Sequence, residues 1–402
     1  MSEIKTYVES IFDELVAIRR DIHAHPETGS QEVRTSALIR AELEKMGMDE
    51  IQSPLPTAVV GLLHGKKGPG KCVGLRADID ALPVNEDTGL PFASRNEGVM
   101  HACGHDVHMA VLMGALRLLN AHSDALAGNV KFIFQQAEEQ HPGGAKALID
   151  CGVLENPHVD AFYACHTGTY LESGTIGFHP GEYQAASDSF ELIVKGRGGH
   201  GGYPHYTIDP IPAAAAVIQA LQTIVSRNVP ALDNAVVSVC KINAGTKSNV
   251  IPDEVRLAGT VRTLNEGVRS MIKEKMAYIC QSVCAGFGCT CVLEYEEGYP
   301  VVRNDESMCA LAMQAASKIV SKENVLAIPA VMGGEDTAYY LQRVPGVMSR
   351  LGAGNTAKGL NAPAHASTFD VDESCIAYGA EIMAQVAWDY LEENEKEHGE
   401  TK

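Results

Sequence analysis

Between Ser187 and Glu296 the chain reads strand, helix, strand, strand, helix, strand, and this order interrupts a different pattern on either side. Residues 190–195 alternate apolar and polar side chains as a half-buried strand does. Asp209-Pro210 supplies an N-cap residue followed by an N1 proline, which opens an Ala-rich helix running to about Arg227. Strands over 235–242 and 254–263 are joined through a Gly/Asn/Pro turn. A helix from about 265 to 285 and a strand over 289–296 complete a βαββαβ unit. Before this stretch, Val8, Ile11, Phe12, Leu15 and Ile18 fall at helical spacing, and further helices are predicted over 35–46 and 109–119. Strands at 73–78, 129–135 and 158–165 alternate with them. After Tyr299-Pro300 the alternation resumes and ends in an amphipathic helix from about 372 to 392. Strands alternating with helices predict an α/β layered sheet. The expectation is an α/β domain formed by residues 1–186 and 299–402, interrupted by a small α+β domain over 187–298.

Charge and cysteine usage narrow the function classes. A formal charge of −19, with no cluster of Lys or Arg, argues against nucleic acid or an anionic membrane as partner. No apolar run approaches the ~20 residues that span a bilayer. The N-terminus shows no basic segment leading into an apolar one, so no export signal is expected. Eleven cysteines, an odd number without framework spacing, point to a reducing compartment and a cytoplasmic enzyme. Cys280, Cys284, Cys289 and Cys291 lack the spacing of a zinc knuckle and read as small buried hydrophobes.

The chemistry concentrates in Met100-His-Ala-Cys-Gly-His-Asp-Val-His108. Thiolate, imidazole and carboxylate are the ligand types that a borderline-soft divalent ion selects. Cys103 and His105, with Gly104 between them, can face one ion if the segment is a tight turn before a helix. Taken alone, the same residues would also suit a helix start carrying solvated histidines. Other ligand types fall where α/β enzymes place their sites, after the carboxyl ends of strands: Asp78 and Asp80, Glu138-Glu139, and His166, with His365 on a later loop. Adjacent carboxylates repel unless a cation is near. A metal would take Glu139 as ligand and leave Glu138 to remove a proton from water; the pair would equally suit the exposed start of a helix.

Gly196-Arg-Gly-Gly-His200-Gly-Gly-Tyr-Pro-His205 cannot cradle a phosphate, because Tyr203-Pro204 stands where a helix should begin. A histidine delivered on a glycine-rich loop suits the stabilisation of a developing oxyanion. Asn249 and Arg262 could bind a carboxylate or serve structure.

With these motifs in hand, the chain resembles the M20 metallopeptidase family over nearly its full length, in the branch (subfamily D) of aminoacylases, hippurate hydrolases and IAA-amino acid hydrolases. The likeness rests on Arg19-Arg-Asp-Ile-His-Ala-His-Pro-Glu27, Arg76-Ala-Asp-Ile-Asp-Ala-Leu-Pro83, His101-Ala-Cys-Gly-His-Asp106, Gln135-Gln-Ala-Glu-Glu139, Gly198-Gly-His-Gly201, Asn249-Val-Ile-Pro252, Gly334-Glu-Asp336 and the Pro363/His365 region. It implies a zinc-peptidase-like (phosphorylase/hydrolase-like) catalytic domain with an inserted ferredoxin-like lid that mediates assembly into a homodimer or higher homo-oligomer. It further implies two divalent ions, zinc or manganese with nickel and cobalt as alternatives, held by Cys103, His105, Glu139, His166 and His365, the thiolate bridging. Glu138 would be the general base. His200 would polarise the scissile carbonyl, Asn249 and Arg262 would hold a substrate carboxylate, and Asp78 would orient a ligand. The implied reaction is hydrolysis of a small N-acyl amino acid. Gln136, Thr337 and Ala366-Ser367 depart from the branch pattern without removing a ligand, which affects the expected shape of the acyl pocket.

Dipeptidase and N-acetyl-diaminopimelate deacetylase activities are the alternatives on the same fold. A zinc oxidoreductase would need a G-x-G-x-x-G turn with an acidic residue about twenty positions later, and the sequence has no such unit. A non-catalytic binding protein would not be expected to keep both base and ligands.

Overall fold

The computed structural model describes residues 2–48 and 50–399, which divide into two compact units. The first comprises the chain up to Gly181, Arg303–Pro329 and the residues from Asp336 onward. The second comprises Glu182–Val302 and Ala330–Glu335.

The first unit is built on an eight-stranded mixed sheet in the order Ile51–Gln52, Val59–His64, Ala127–Gln135, Gly68–Asp78, Ala161–Glu172, Gly346–Gly354, Ile176–Phe178, Val325–Ala327. Its centre is parallel: Gly68–Asp78 pairs in parallel with both Ala127–Gln135 and Ala161–Glu172, and the last of these with Gly346–Gly354. Strands covered on both faces read as unbroken apolar runs. Residues 72–78 are accordingly buried throughout, as are 130–135. Helix His105–Ala121 packs against Ser2–Ala24 and Cys375–Gly399, and their apolar faces join the sheet in one core that includes Leu15, Ile22, Val111, Leu112, Phe132 and Ile376.

Three elements depart from the sequence expectation in ways that bear on the site or its supports. The helix expected from Met109 begins at His105, because left-handed Gly104 (φ 88°) turns the chain directly into it. The strand expected to end at Cys165 continues to Glu172, because Gly346–Gly354 keeps pairing with it beyond the point where Gly68–Asp78 stops. His166 therefore lies within a strand. The last helix starts at Cys375 and passes Glu392 to reach Gly399. No helix among the described residues is long and apolar enough to cross a membrane.

The second unit is a four-stranded antiparallel sheet in the order Ala235–Ala244, Glu254–Thr263, Ala186–Lys195, Thr290–Tyr299. In chain order this is 2-3-1-4, the ferredoxin-like arrangement of a βαββαβ unit. Phe190, Leu192 and Val194 alternate inward from the central strand against helices Pro210–Arg227 and Glu266–Gly286. Asp209 caps the first of these helices by accepting from Ile211 N at 3.0 Å. Asn265 caps the second, accepting from Gly267 N at 2.8 Å. Cys280, Cys284 and Cys289 are buried in this core and Cys291 packs against it. A buried ion pair closes one side: Arg269 Nη2 lies 2.5 Å from Asp188 Oδ1, and Asp188 also accepts from Tyr295 Oη at 2.6 Å and Gly298 N at 2.9 Å.

Candidate metal centre

The site is assembled where the central parallel strands of the first unit end. Gly68–Asp78 delivers Asp78 and, just beyond it, Asp80. Ala127–Gln135 runs on into Glu138 and Glu139. Ala161–Glu172 carries His166. Cys103 immediately precedes the turn into helix His105–Ala121. Gly104 is required in that turn twice over, by its left-handed backbone and because a Cβ there would collide with Thr167 Oγ1. His365 comes from a later loop, whose backbone N donates to Ala102 O at 2.7 Å.

Ligand atoms of these residues fall into overlapping sets whose members all lie within 4.8 Å of one another. Cys103, His105 and His166 form one set. Cys103, Glu139 and His365 form a second, and His105, Glu138 and Glu139 a third. Cys103 Sγ lies 3.3 Å from His166 Nε2. Glu139 Oε1 faces His365 Nε2 at 3.3 Å and His105 Nε2 at 3.9 Å.

Hydrogen bonds fix how the imidazoles are presented. His105 Nδ1 pairs with Asp80 O at 2.8 Å, and His166 Nδ1 with Thr167 O at 2.8 Å. A carbonyl can only accept, so Nδ1 carries the hydrogen in both rings and the Nε2 lone pairs point into the cluster, the tautomer a metal ligand needs. His105 Nε2 is buried and without a hydrogen-bond partner. With no cation present, burial and then the charge of Glu139 push the Cys103 thiol up to about 12. A divalent ion reverses that balance by ionising the thiol outright. The donor set therefore fits divalent metal.

Around the donors lies a shell of buried charge. Asp78 accepts from Arg76 Nη1 at 2.7 Å and pairs with His108 Nδ1 at 2.5 Å. It is the Asp80 carbonyl, and not the Asp78 carboxylate, that holds His105 Nδ1. Arg76 also reaches Asp336 Oδ1 at 2.8 Å and Gln135 Oε1 at 3.0 Å, which accounts for Asp336 in the Gly-Glu-Asp motif. Burial works against ionisation of Asp78, but Arg76, His105 and His108 hold it well below the ordinary carboxylate range. His101, grouped with the other histidines by sequence, stands apart in a buried position next to His23, and burial pushes its pKa down to about 3.

The backbone entering the Glu138-Glu139 pair is strained. Ala137 adopts φ 55°, a left-handed conformation that costs a residue with a Cβ roughly 1–2 kcal/mol.

His200, Asn249 and Arg262 belong to the second unit. His200 sits on a two-residue strand paired with Val250–Ile251, and Gly201 N donates to Asn249 O at 2.9 Å, so His200 and Asn249 share one small module. His200 Nδ1 accepts from Gly202 N at 2.9 Å, which leaves the hydrogen of the neutral ring on Nε2. The ring of Tyr203, 56% exposed, lies 5.1 Å from that of His200. Arg262 folds Nη1 back onto Val261 O at 3.0 Å and Asp188 O at 3.2 Å.

Some residues around the centre carried no assigned role in the sequence. Arg19 and His23 both bind Asp106, which follows His105. Their spacing in the Arg-Arg-Asp-Ile-His motif, four residues apart on one helix face, was the available signal. Glu32 had none.

The sequence profile of peptidase family M20/M25/M40 matches residues 74–389. The thermostable carboxypeptidase 1 of Saccharolobus solfataricus is 41% identical over 390 residues, covering 96% of this chain and 98% of that one. An N-acetylcysteine deacetylase of Bacillus subtilis is 40% identical over 379 residues, covering 94% and 97%. The crystal structure of the Bacillus subtilis YXEP protein, described as a dinuclear metal binding peptidase, superposes with a TM-score of 0.83 at 36% identity over 96% of this chain and 99% of that one.

Proposed function

The chain belongs to peptidase family M20/M25/M40, and from that premise we propose that it hydrolyses small N-acyl amino acids using two divalent ions held by Cys103, His105, Glu139, His166 and His365. It is a hydrolytic enzyme acting on amide bonds. The observation that carries the reading is the convergence of thiol, imidazole and carboxylate atoms, with Cys103 common to two sets and the Nε2 of His105 buried without a hydrogen bond. A dinuclear site is supported by the B. subtilis peptidase of the same fold. Zinc suits the thiolate and imidazole donors and manganese the carboxylate, and the likeness to the family adds nickel and cobalt.

Bound divalent ions supply Lewis acidity and lower the pKa of water. Glu138 takes a proton from the attacking water and returns it to the leaving nitrogen. His200 donates from Nε2 to the carbonyl oxygen as negative charge grows there. Asn249 and Arg262 hold the carboxylate of the amino-acid half. In this reading residues 187–298 act as a lid carrying His200 and as the surface of a homodimer. The odd, scattered cysteines favour a cytoplasmic setting.

The N-acetylcysteine deacetylase relative favours an N-acyl substrate, and the carboxypeptidase relative favours a peptide as the second reading. The experiment is a panel of N-acetyl amino acids, N-benzoyl amino acids and dipeptides, assayed with zinc, manganese, nickel and cobalt. The expected result is fastest turnover of an N-acyl amino acid, with Glu138→Gln lowering kcat by roughly 10²–10⁴-fold at unchanged metal content. Faster cleavage of dipeptides would replace the substrate assignment. Near-normal turnover by Glu138→Gln would remove that residue from the base role.

A further inference from the structure

A carboxylate outside the metal cluster holds the loop that carries Glu138. Glu32 occupies the N-cap position of helix Val33–Lys45, where an acidic side chain ordinarily accepts from the first N–H groups of its own helix. It makes no such bond. Glu27 serves those groups instead, accepting from Arg34 N at 3.0 Å and Thr35 N at 2.8 Å. Glu32, fully buried, reaches elsewhere. Its Oε1 accepts from Ala137 N at 2.9 Å and its Oε2 from the Thr57 hydroxyl at 2.7 Å. A Cβ on Gly29 would stand only 3.2 Å from Ala137 Cα, so a glycine there lets the two segments approach. On the far side of Glu138, Glu139 N donates to Asp80 Oδ2 at 2.9 Å. The backbone N–H groups of the residues on either side of Glu138, Ala137 and Glu139, are thus each held by a buried carboxylate.

We propose that Glu32 is a positioning residue for Glu138, holding Ala137 in the left-handed turn that directs both Glu138 and Glu139 toward His105. The proposal rests on the reading of Glu138 as general base. A residue with a Cβ leaves the left-handed region unless its surroundings prevent it. Relaxation at Ala137 would swing the carboxylate that follows, and displacing a catalytic group by 1 Å can lower turnover about 10²-fold. The contact geometry of Glu32 is what matters, and its charge is not required. The Thr57 hydroxyl can donate or accept, so an amide at position 32 could accept from Ala137 N and donate to Thr57.

The test compares Glu32→Ala, Glu32→Asp and Glu32→Gln in the full chain loaded with manganese. N-acetylmethionine and N-benzoylglycine serve as probes, alongside metal content and amide hydrogen exchange of a peptide covering residues 136–140. Glu32→Ala is expected to lower kcat at least tenfold, with KM within threefold, metal content unchanged and exchange of that peptide accelerated. Glu32→Gln is expected to stay within threefold of wild type in kcat and in exchange. Glu32→Asp, shorter by one methylene, should show a several-fold loss of kcat with faster exchange, and it carries the test if Glu32→Ala does not fold. Wild-type kcat and exchange in the Ala or Asp variant, a Gln variant as impaired as Ala, or losses that track metal loss would each overturn the proposal. If wild type cleaves neither probe, or Glu138→Gln remains active, the function reading fails instead, and the exchange measurement alone decides the role of Glu32.

Discussion

Arg19 Nε lies 2.6 Å from Asp106 Oδ2, and neither side chain is reached by solvent. Asp106 also takes His23 Nδ1 at 2.8 Å, while Arg19 extends to Glu373 at 3.1 Å and Asp370 at 3.6 Å. The cluster ties the first helix to the first turn of the helix that begins with His105. Burial opposes the charge on Asp106, yet Arg19 and His23 hold its carboxyl far below the ordinary range.

Removing one partner of such a pair leaves an uncompensated buried charge, which costs about 3–5 kcal/mol. Arg19→Met is expected to destabilise the protein by that amount in chemical denaturation. A loss below about 1 kcal/mol would mean that His23, water or rearrangement compensates Asp106 once Arg19 is gone.

Metal should be bound to the folded protein and not to the unfolded chain. At a free concentration of 100 times Kd it adds roughly 2.7 kcal/mol of stability. Chelation is therefore expected to lower Tm as well as abolish turnover, both recovering when metal is restored. Cys103→Ser replaces a soft thiolate by a weakly coordinating hydroxyl, and at least about tenfold weaker binding should appear in metal titration. Unchanged affinity would exclude Cys103 from the ligand set.

If His200 polarises the scissile carbonyl, as proposed above, the exposed Tyr203 ring, 5.1 Å from that of His200, is a candidate contact for the acyl group. An aromatic pair contributes about 0.5–1.5 kcal/mol beyond its buried area, or roughly 2–10-fold in affinity. Tyr203→Ala is expected to raise KM for N-benzoyl substrates by that factor and leave N-acetyl substrates nearly unchanged. An equal effect on both would detach Tyr203 from acyl selection.

In the second unit, burial alone would raise the Asp188 carboxyl, but hydrogen bonds from Arg269, Tyr295 and Gly298 N hold it below its ordinary value. A carboxyl depressed on folding stabilises at pH above its unfolded pKa of about 3.9. That contribution fades as pH falls through the folded value. Asp188→Asn should therefore be markedly less stable than wild type at pH 7, with the gap narrowing once pH drops below about 4. Denaturation curves at both pH values check this, and a gap that widens on acidification would contradict the assignment.

Legibility in the sequence followed the range of the interaction. Asp209 announced its helix because a cap acts within three residues. Cys103, Gly104 and His105 announced a turn that brings a thiol and an imidazole together, because both needs are met within a tripeptide. Strand ends could be located, and Glu138-Glu139 with them, but the continuation of the His166 strand to Glu172 depends on a partner strand nearly two hundred residues later. The Glu32 contact with Ala137 spans 105 residues and leaves no periodic trace in either segment. Nor does periodicity reveal that the short stretch Ala330–Glu335 joins the second unit. Nothing in the sequence paired Arg19 with Asp106, and it is their meeting in the fold that makes both interior residues.

The position of His365 in the chain has a consequence for synthesis. Cys103, His105, Glu139 and His166 leave the ribosome first, and His365 follows roughly 200 residues later, about 10–40 s at bacterial-to-eukaryotic elongation rates of roughly 5–20 residues per second. Helix Cys375–Gly399, which packs on the helix begun by His105, emerges later still. If His365 is a ligand, as proposed above, a nascent polypeptide halted before residue 365 carries an incomplete coordination sphere, and full ion loading has to wait until the loop bearing His365 has been made.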